Sequence, residues 1–322
     1  MISAYFWNSE TQELREVTGA DLRQAVTWTG GELWVDFEAP NEEEFGLLSS
    51  VFNFHPLALE DCQVETPIPK VEAYDDFLFI IMHGAALPTD SQPYLTKELD
   101  VFLRPGLLVT HHAKTLRSTE ATRESVRRSA ATVMGKGCDG LVYSILDGLV
   151  GHYFPILADL EQSIGELEDQ AVSESGPGML EALQDRRRDV LHLKRILGPQ
   201  REVITRLSRG EFKYVRGENL FYFRDIADEL TRINEQLDLL RELVAGARDS
   251  YLGLLSQRTN DIMKVLTIIA TVTLPLALIS GIWGMNTWVP GEGKPAFFWI
   301  VISVMVAAAV GMLAWLIRKG WW

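Results

Sequence analysis

The chain has 322 residues, 47% apolar and 23% charged, with a formal net charge of −14 at pH 7. Acid in that excess argues against nucleic acid as a partner, because a phosphate backbone needs a basic face, and it suits small cations. After Lys264 the only charged residues are Glu292, Lys294, Arg318 and Lys319, so residues 1–264 carry a net −16 and the rest carry +2. Cys62 and Cys138 are the two cysteines, and with no Cys-x-x-Cys they support neither a disulfide framework nor a cysteine-based zinc site. The start, Met1 to Tyr5, has no basic stretch and no apolar leader, so no signal peptide is expected.

Short β-rich runs at Leu33–Phe37, Phe77–Met82, Leu99–Leu103 and Leu107–Thr110 predict strands, with His111 and His112 at a strand end. Asn41 followed by Glu42, Glu43 and Glu44 predicts a helix start, a capping residue with acids at the positive helix end. Leu141–Val172 is apolar-periodic with a kink expected at Pro155. Gly176, Pro177 and Gly178 break the chain, and a second helix is expected over Met179–Leu207. Its basic cluster Arg186, Arg187 and Arg188 reads as a solvated face with acidic neighbours. From Glu218 to Gly284 the only proline is Pro275, and Ile226, Leu230, Ile233, Leu237, Leu240, Val244, Ala247, Tyr251 and Leu254 keep a seam at 3–4 spacing. That predicts one long helix packed against partners.

Two stretches, Val265–Gly291 and Pro295–Ile317, contain no Asp, Glu, Lys or Arg. Each is long enough to cross a hydrocarbon core of about 30 Å as a helix. Trp283, Trp288, Trp299, Trp315, Trp321 and Trp322 sit near the ends of these runs, as interfacial aromatics do. Arg258 and Lys264 precede the first run and Arg318 and Lys319 follow the second. The positive-inside rule then places both termini in the cytoplasm and the loop outside. The expected organisation is a cytoplasmic α/β domain over 1–135, a helical bundle and stalk over 136–262, and a transmembrane hairpin over 263–322. The spans fall at about 265–284 and 296–317, around a loop at 285–295.

The first span closes on Gly281, Ile282, Trp283, Gly284, Met285 and Asn286. Gly-Met-Asn there, with a short loop, a second span and a tryptophan-ended C-terminus, resembles the CorA family of magnesium and cobalt channels. Trp34–Phe37, His55–Asp61, Pro69–Glu72, Tyr74–Phe79, Tyr153–Pro155, Pro199–Glu202 and Tyr222–Asp225 extend the resemblance over nearly the whole chain. It implies a homopentameric funnel in the inner (plasma) membrane, with five first spans lining a pore. Gly281, Gly284, Met285 and Asn286 would form the outer mouth, where neutral Asn286 oxygens accept from the waters of a hydrated ion. The other reading of Asn286 is an ordinary helix C-cap.

Further along the same helix, Asn260 matches a polar ring, and Met263, Leu266 and Leu274 match a hydrophobic constriction that can gate by dewetting. Asp61, Asp225 and Asp249 match the family's acidic metal-binding positions, with Asp61 and Asp225 paired across a subunit boundary as a magnesium sensor. Ala277 departs from the family, which often has threonine there, and the C-terminus carries fewer lysines than is typical. The implied function is Mg²⁺ influx, with Co²⁺ or Ni²⁺ tolerated and Mg²⁺ also the regulatory ligand. The alternative is a zinc transporter of the same superfamily, possibly proton-coupled. A third reading is a non-transporting membrane scaffold. No P-loop, Ser/His/Asp or HExxH spacing points to an enzyme, and no prosthetic group is expected.

Overall fold

The computed structural model describes residues 1–19, 21–64, 66–85, 96–173, 178–285 and 295–320. Strands are β1 (Ile2–Asn8), β2 (Glu13–Val17), β3 (Gly31–Glu38), β4 (Lys70–Ala73), β5 (Leu78–Ala85), β6 (Thr96–Arg104) and β7 (Leu107–His112). Helices are α1 (Leu22–Ala25), α2 (Glu42–Ser50), α3 (Pro56–Gln63), α4 (Arg117–Val133), α5 (Gly137–Gly151), α6 (Tyr153–Ser173), α7 (Met179–Ser208), α8 (Leu220–Trp283) and α9 (Pro295–Arg318). The sheet order is β2-β1-β3-β7-β6-β5-β4, with β3 and β7 parallel and the other pairs antiparallel. A compact unit takes in Met1–Gln170 and Gly176–Ala247, and a second contains Arg248–Trp322.

Side chains alternate across the sheet because successive strand residues point to opposite faces. Trp34, Leu78, Ile80, Met82, Leu99, Val101, Leu103 and Leu108 enter one core, together with buried residues of α4 to α8. Leu33, Val35, Phe37, Phe79, Ile81, Phe102 and Val109 enter the other, under α1 to α3. Both faces are covered, which is why all six residues of β7 are buried and no polar alternation marks it. The helices expected as a separate bundle beyond residue 135 therefore share one core with the sheet. The division drawn at 135 falls inside that core, because an exposed apolar sheet face must be covered.

The helix starts are set by local chemistry. Asn41 caps α2 by accepting from Glu44 N at 2.8 Å, and the Glu44 carboxylate accepts from Asn41 N at 3.0 Å, a complete capping box. The break expected at Pro155 lies instead at His152, between α5 and α6. Pro155 sits in the first turn of α6, where a missing N–H loses no bond. Gly137 (φ +81°) turns the chain from α4 into α5, and a Cβ there would lie 2.1 Å from Arg216 Nη2. Asp139 Oδ2 then accepts from Arg216 N at 2.9 Å and Asn219 Nδ2 at 2.8 Å, and Oδ1 from Arg216 Nε at 2.9 Å. Buried Asp139 thus pins the start of α8 to α5.

Among the described residues, three helical stretches are long and apolar enough to cross a membrane: Gly137–Ala171, Gly217–Trp283 and Pro295–Arg318. The first has half of its apolar window buried, and α5 packs on β3, β5, β6 and β7, so it belongs to the core. The apolar windows of the other two are 0% and 6% buried. The stretches expected as spans, at about 265–284 and 296–317, fall at the end of the second and within the third of these helices.

Candidate functional site

The anchoring of α8 on α5 has a chemical consequence. It sets Asp225 and Glu229, one turn apart on α8, against Asp147 of α5, so that one oxygen from each lies within 4.8 Å of the others. Asp225 is exposed, and Asp147 and Glu229 are half-buried. Burial pushes the Asp147 carboxyl up, with Asp225 adding repulsion, and Glu229 is raised by burial and by both neighbouring acids. Tyr143, four residues before Asp147, is pushed up to about 12 by burial and then by the charges of Asp147 and Asp225. Its ring lies tilted by 31° against Tyr222, with centroids 4.8 Å apart, and Tyr222 in turn carries Lys136 Nζ at 4.4 Å from its ring centroid. Carboxylates that repel one another and lean toward their neutral forms are relieved by a cation shared between them. An all-oxygen donor set of this kind suits a hard divalent ion such as Mg²⁺.

Asp225 was expected to meet Asp61. Within one chain it does not: Asp61 Oδ2 holds Lys70 Nζ at 2.6 Å, and Lys70 also reaches Glu72 Oε1 at 3.1 Å. The pairing expected across a subunit boundary involves a second copy. Asp249 is exposed and engages its neighbour Arg248, whose Nη2 lies 3.0 Å from Asp249 Oδ1. The basic cluster of α7 behaves as a solvated face, with Arg186–Asp189 at 3.2 Å and Arg188–Asp185 at 2.8 Å. Asp147 and Glu229 escaped the sequence reading. Asp147 is the lone charged residue in the Leu141–Val150 run, and Glu229 stands four residues from Asp225 on the same helix, a spacing that a search for acids sharing a helix face would have used.

In the second unit, α8 continues as a helix through Asn260, Met263, Leu266, Leu274 and Gly281 to Trp283. Met263 is 53% exposed, Leu266 58% and Leu274 69%, so these side chains find no cover within the single chain. Pro275 lies inside the helix without ending it. A shallow cavity of about 450 Å³ is lined by Leu266, Thr267, Ala270, Thr271, Leu274 and Pro275. Gly284 N still bonds Ser280 O at 2.9 Å, and Met285 follows as a bend. Residues 286–294 of the expected loop, which include Asn286 and Trp288, lie outside the described residues, as do Trp321 and Trp322.

Comparison with known proteins agrees with this architecture. A family profile described as "CorA-like Mg2+ transporter protein" matches residues 30–319. The chain is 33% identical to YfjQ of Bacillus subtilis, covering 100% of this chain and 98% of that one. It is 28% identical to the cobalt/magnesium transport protein CorA of Thermotoga maritima, over 98% of this chain and 91% of that protein. The fold matches the complete structure of the CorA magnesium transporter from Methanocaldococcus jannaschii with a TM-score of 0.86, at 23% identity over 100% of this chain and 99% of that one. An N-terminal α/β domain, a long helix and a second C-terminal apolar helix, with the profile match spanning most of the length, make this chain a member of the CorA-like family of divalent metal transporters.

Proposed function

We propose that the chain assembles as a homopentameric channel of the plasma (inner) membrane and conducts Mg²⁺ inward, with Co²⁺ and Ni²⁺ as further cargo. A chain with two spans encloses no pore alone, so conduction requires a ring of copies. One observation carries the reading. A single helix, Leu220–Trp283, bears Asp225 and Glu229 near its start and an uncharged, exposed apolar stretch near its end. In the proposed ring, Met263, Leu266 and Leu274 form a constriction that closes by excluding water. Asn260 lines the cytoplasmic end, and Gly281, Gly284, Met285 and Asn286 form the outer mouth. A hydrated Mg²⁺ gives up its waters reluctantly, and Asn286 amide oxygens accept from them without stripping the ion. Termini in the cytoplasm place the acidic body where entering cations accumulate.

Regulation follows from the acids. Asp147, Asp225 and Glu229 within a chain, and Asp61 facing Asp225 across a subunit boundary, repel when empty and are bridged when internal Mg²⁺ occupies them. Occupancy then favours the closed ring by differential binding. Asp249 adds an acidic ring below Asn260. No His or Cys lies beyond His192, so the spans offer no imidazole or thiolate for zinc.

The test is ion flux into liposomes holding the purified protein, with Mg²⁺ and Zn²⁺ compared and a pH gradient imposed. Mg²⁺ entry is expected and Asn286→Ala should abolish it; an undiminished flux in that variant would sink the mouth assignment. Zn²⁺ entry that depends on the pH gradient, with no Mg²⁺ entry, would replace magnesium by zinc as cargo. Asp225→Ala should weaken inhibition by internal Mg²⁺, and inhibition equal to wild type counts against the sensor.

A further inference from the structure

A second group of metal-ligating side chains lies in the α/β region, away from the acids of α5 and α8. Cys62 of α3, Asp100 of β6 and His111 of β7 each offer one ligand atom, and the three atoms lie within 4.8 Å of one another. All three residues are buried, at 9%, 1% and 5% exposure. His111 and Asp100 are directly opposed in the β6–β7 register, and His111 Nδ1 meets Asp100 Oδ2 at 2.8 Å. Cys62 reaches them from α3, while its thiol donates to Ala58 O at 3.2 Å. The Phe45 ring of α2 stands edge-on to the His111 ring at 5.5 Å.

One atom is unaccounted for. Asp100 Oδ1 is sealed from solvent and has no well-formed hydrogen bond, the Cys62 thiol donating to Ala58 O while also interacting with the Asp100 carboxylate, although buried carboxylate oxygens are ordinarily satisfied. A structural His–Asp pair explains Oδ2 and leaves Oδ1 without a well-formed partner. A cation held between the carboxylate, the thiolate and the imidazole explains both oxygens. We propose that Cys62, Asp100 and His111 form a site for a borderline divalent cation, Zn²⁺ or Co²⁺, tying α3 to the central strands. Thiolate and imidazole are the ligands such ions prefer, and three protein ligands leave a fourth position for water. Mg²⁺ is a poor occupant, because it demands oxygen ligands and keeps its waters. The ion would hold α3 one residue from Asp61. The site stands independently of the channel reading, and spacing in the sequence could not expose it, since its ligands come from three separate elements.

The test is a Co²⁺ titration of the full-length protein in detergent after removal of metal by a chelator. A near-ultraviolet thiolate-to-Co²⁺ charge-transfer band is expected, which oxygen-only sites cannot produce. It should survive an excess of Mg²⁺, persist in Cys138→Ser and vanish in Cys62→Ser. Asp100→Asn and His111→Phe should each raise the apparent Kd for Co²⁺ beyond the roughly 10–100-fold typical of an outer-shell change. Should Cys62→Ser fail to fold, thiol modification of the wild-type protein decides. Bound Zn²⁺ should slow alkylation of Cys62, read by mass spectrometry, and leave Cys138 unaffected. No band in the wild-type protein, a band that persists in Cys62→Ser, or equal Cys62 alkylation with and without Zn²⁺ overturns the site.

Discussion

Leucine behaves in two opposite ways in this chain. Leu78 and Leu108 of the sheet are 0% exposed, whereas Leu266 and Leu274 of α8 are 58% and 69% exposed. In α9, Phe298, Trp299 and Val306 are 62%, 67% and 57% exposed. Contiguous apolar surface on that scale is not tolerated in water, so the second region is built for another solvent, lipid or copies of itself. The sheet region buries its apolar residues inside and keeps most of its charge outside, with the buried Asp36, Asp100 and Asp139 held by hydrogen bonds. The α8 and α9 stretches carry no charge between Val265 and Trp283 or between Pro295 and Ile317, and leave apolar side chains outside. Stability in one region comes from packing within the chain, whereas the exposed stretches of the other find no such cover in the single chain.

The largest effect that would break this comparison is a cavity in the sheet core. Phe102 is 1% exposed and stacks at 4.1 Å on Phe54, so Phe102→Ala should cost about 3–5 kcal/mol of unfolding free energy, read by denaturant titration in detergent. Leu266→Ala should leave the same titration nearly unchanged; equal losses would show that the two regions do not differ as stated. Next in size is a charge in the apolar helix α9. Val306→Arg, near the middle of α9, should raise the membrane-insertion free energy by about 2.5–3.5 kcal/mol in an insertion assay. Removing the capping box of α2 with Asn41→Ala should cost about 1 kcal/mol, visible as a lowered unfolding midpoint.

The smallest expected effect is one of pH, and it belongs to the sheet-bearing unit. Burial and the charge of Arg117 hold the His152 imidazole below its ordinary pKa. Below its unfolded value of about 6.5 the unfolded chain binds a proton that the native chain refuses. Stability is therefore full above that value and falls as pH drops toward the depressed folded value. His152→Gln should flatten this part of the thermal-unfolding profile between pH 7 and 5, about the window of the imidazole. An unchanged slope would assign the pH dependence to other groups.

Several elements were legible before folding for a shared reason: their signals are local. Asn41 followed by three glutamates specified the start of α2, and Val265–Trp283 specified a span by being uncharged over a sufficient length. The strands β3, β5, β6 and β7 announced themselves as short apolar, β-branched runs. By contrast β1, β2 and β4 were missed. Glu13–Val17 and Lys70–Ala73 are short edge strands with charged, largely exposed residues, and their identity comes from pairing with β1 and β5. Pro199 lies inside α7 without stopping it, next to Gln200, whose Oε1 accepts from His83 N at 3.1 Å. Packing of that turn against β5 outweighs the lost helix bond.

The sequence by itself determined which two stretches are uncharged and long enough to cross a membrane, because an uncharged run of sufficient length is a one-dimensional property. It also determined the family motif at the end of α8 and the presence of Asp225 among candidate ligands. Only the tertiary structure decided which groups meet: Asp147 with Asp225 and Glu229, Asp61 with Lys70, and Cys62 with Asp100 and His111. Ligand chemistry depends on distances of a few ångströms between residues that the chain keeps far apart, and those distances exist only once the sheet has been covered on both faces.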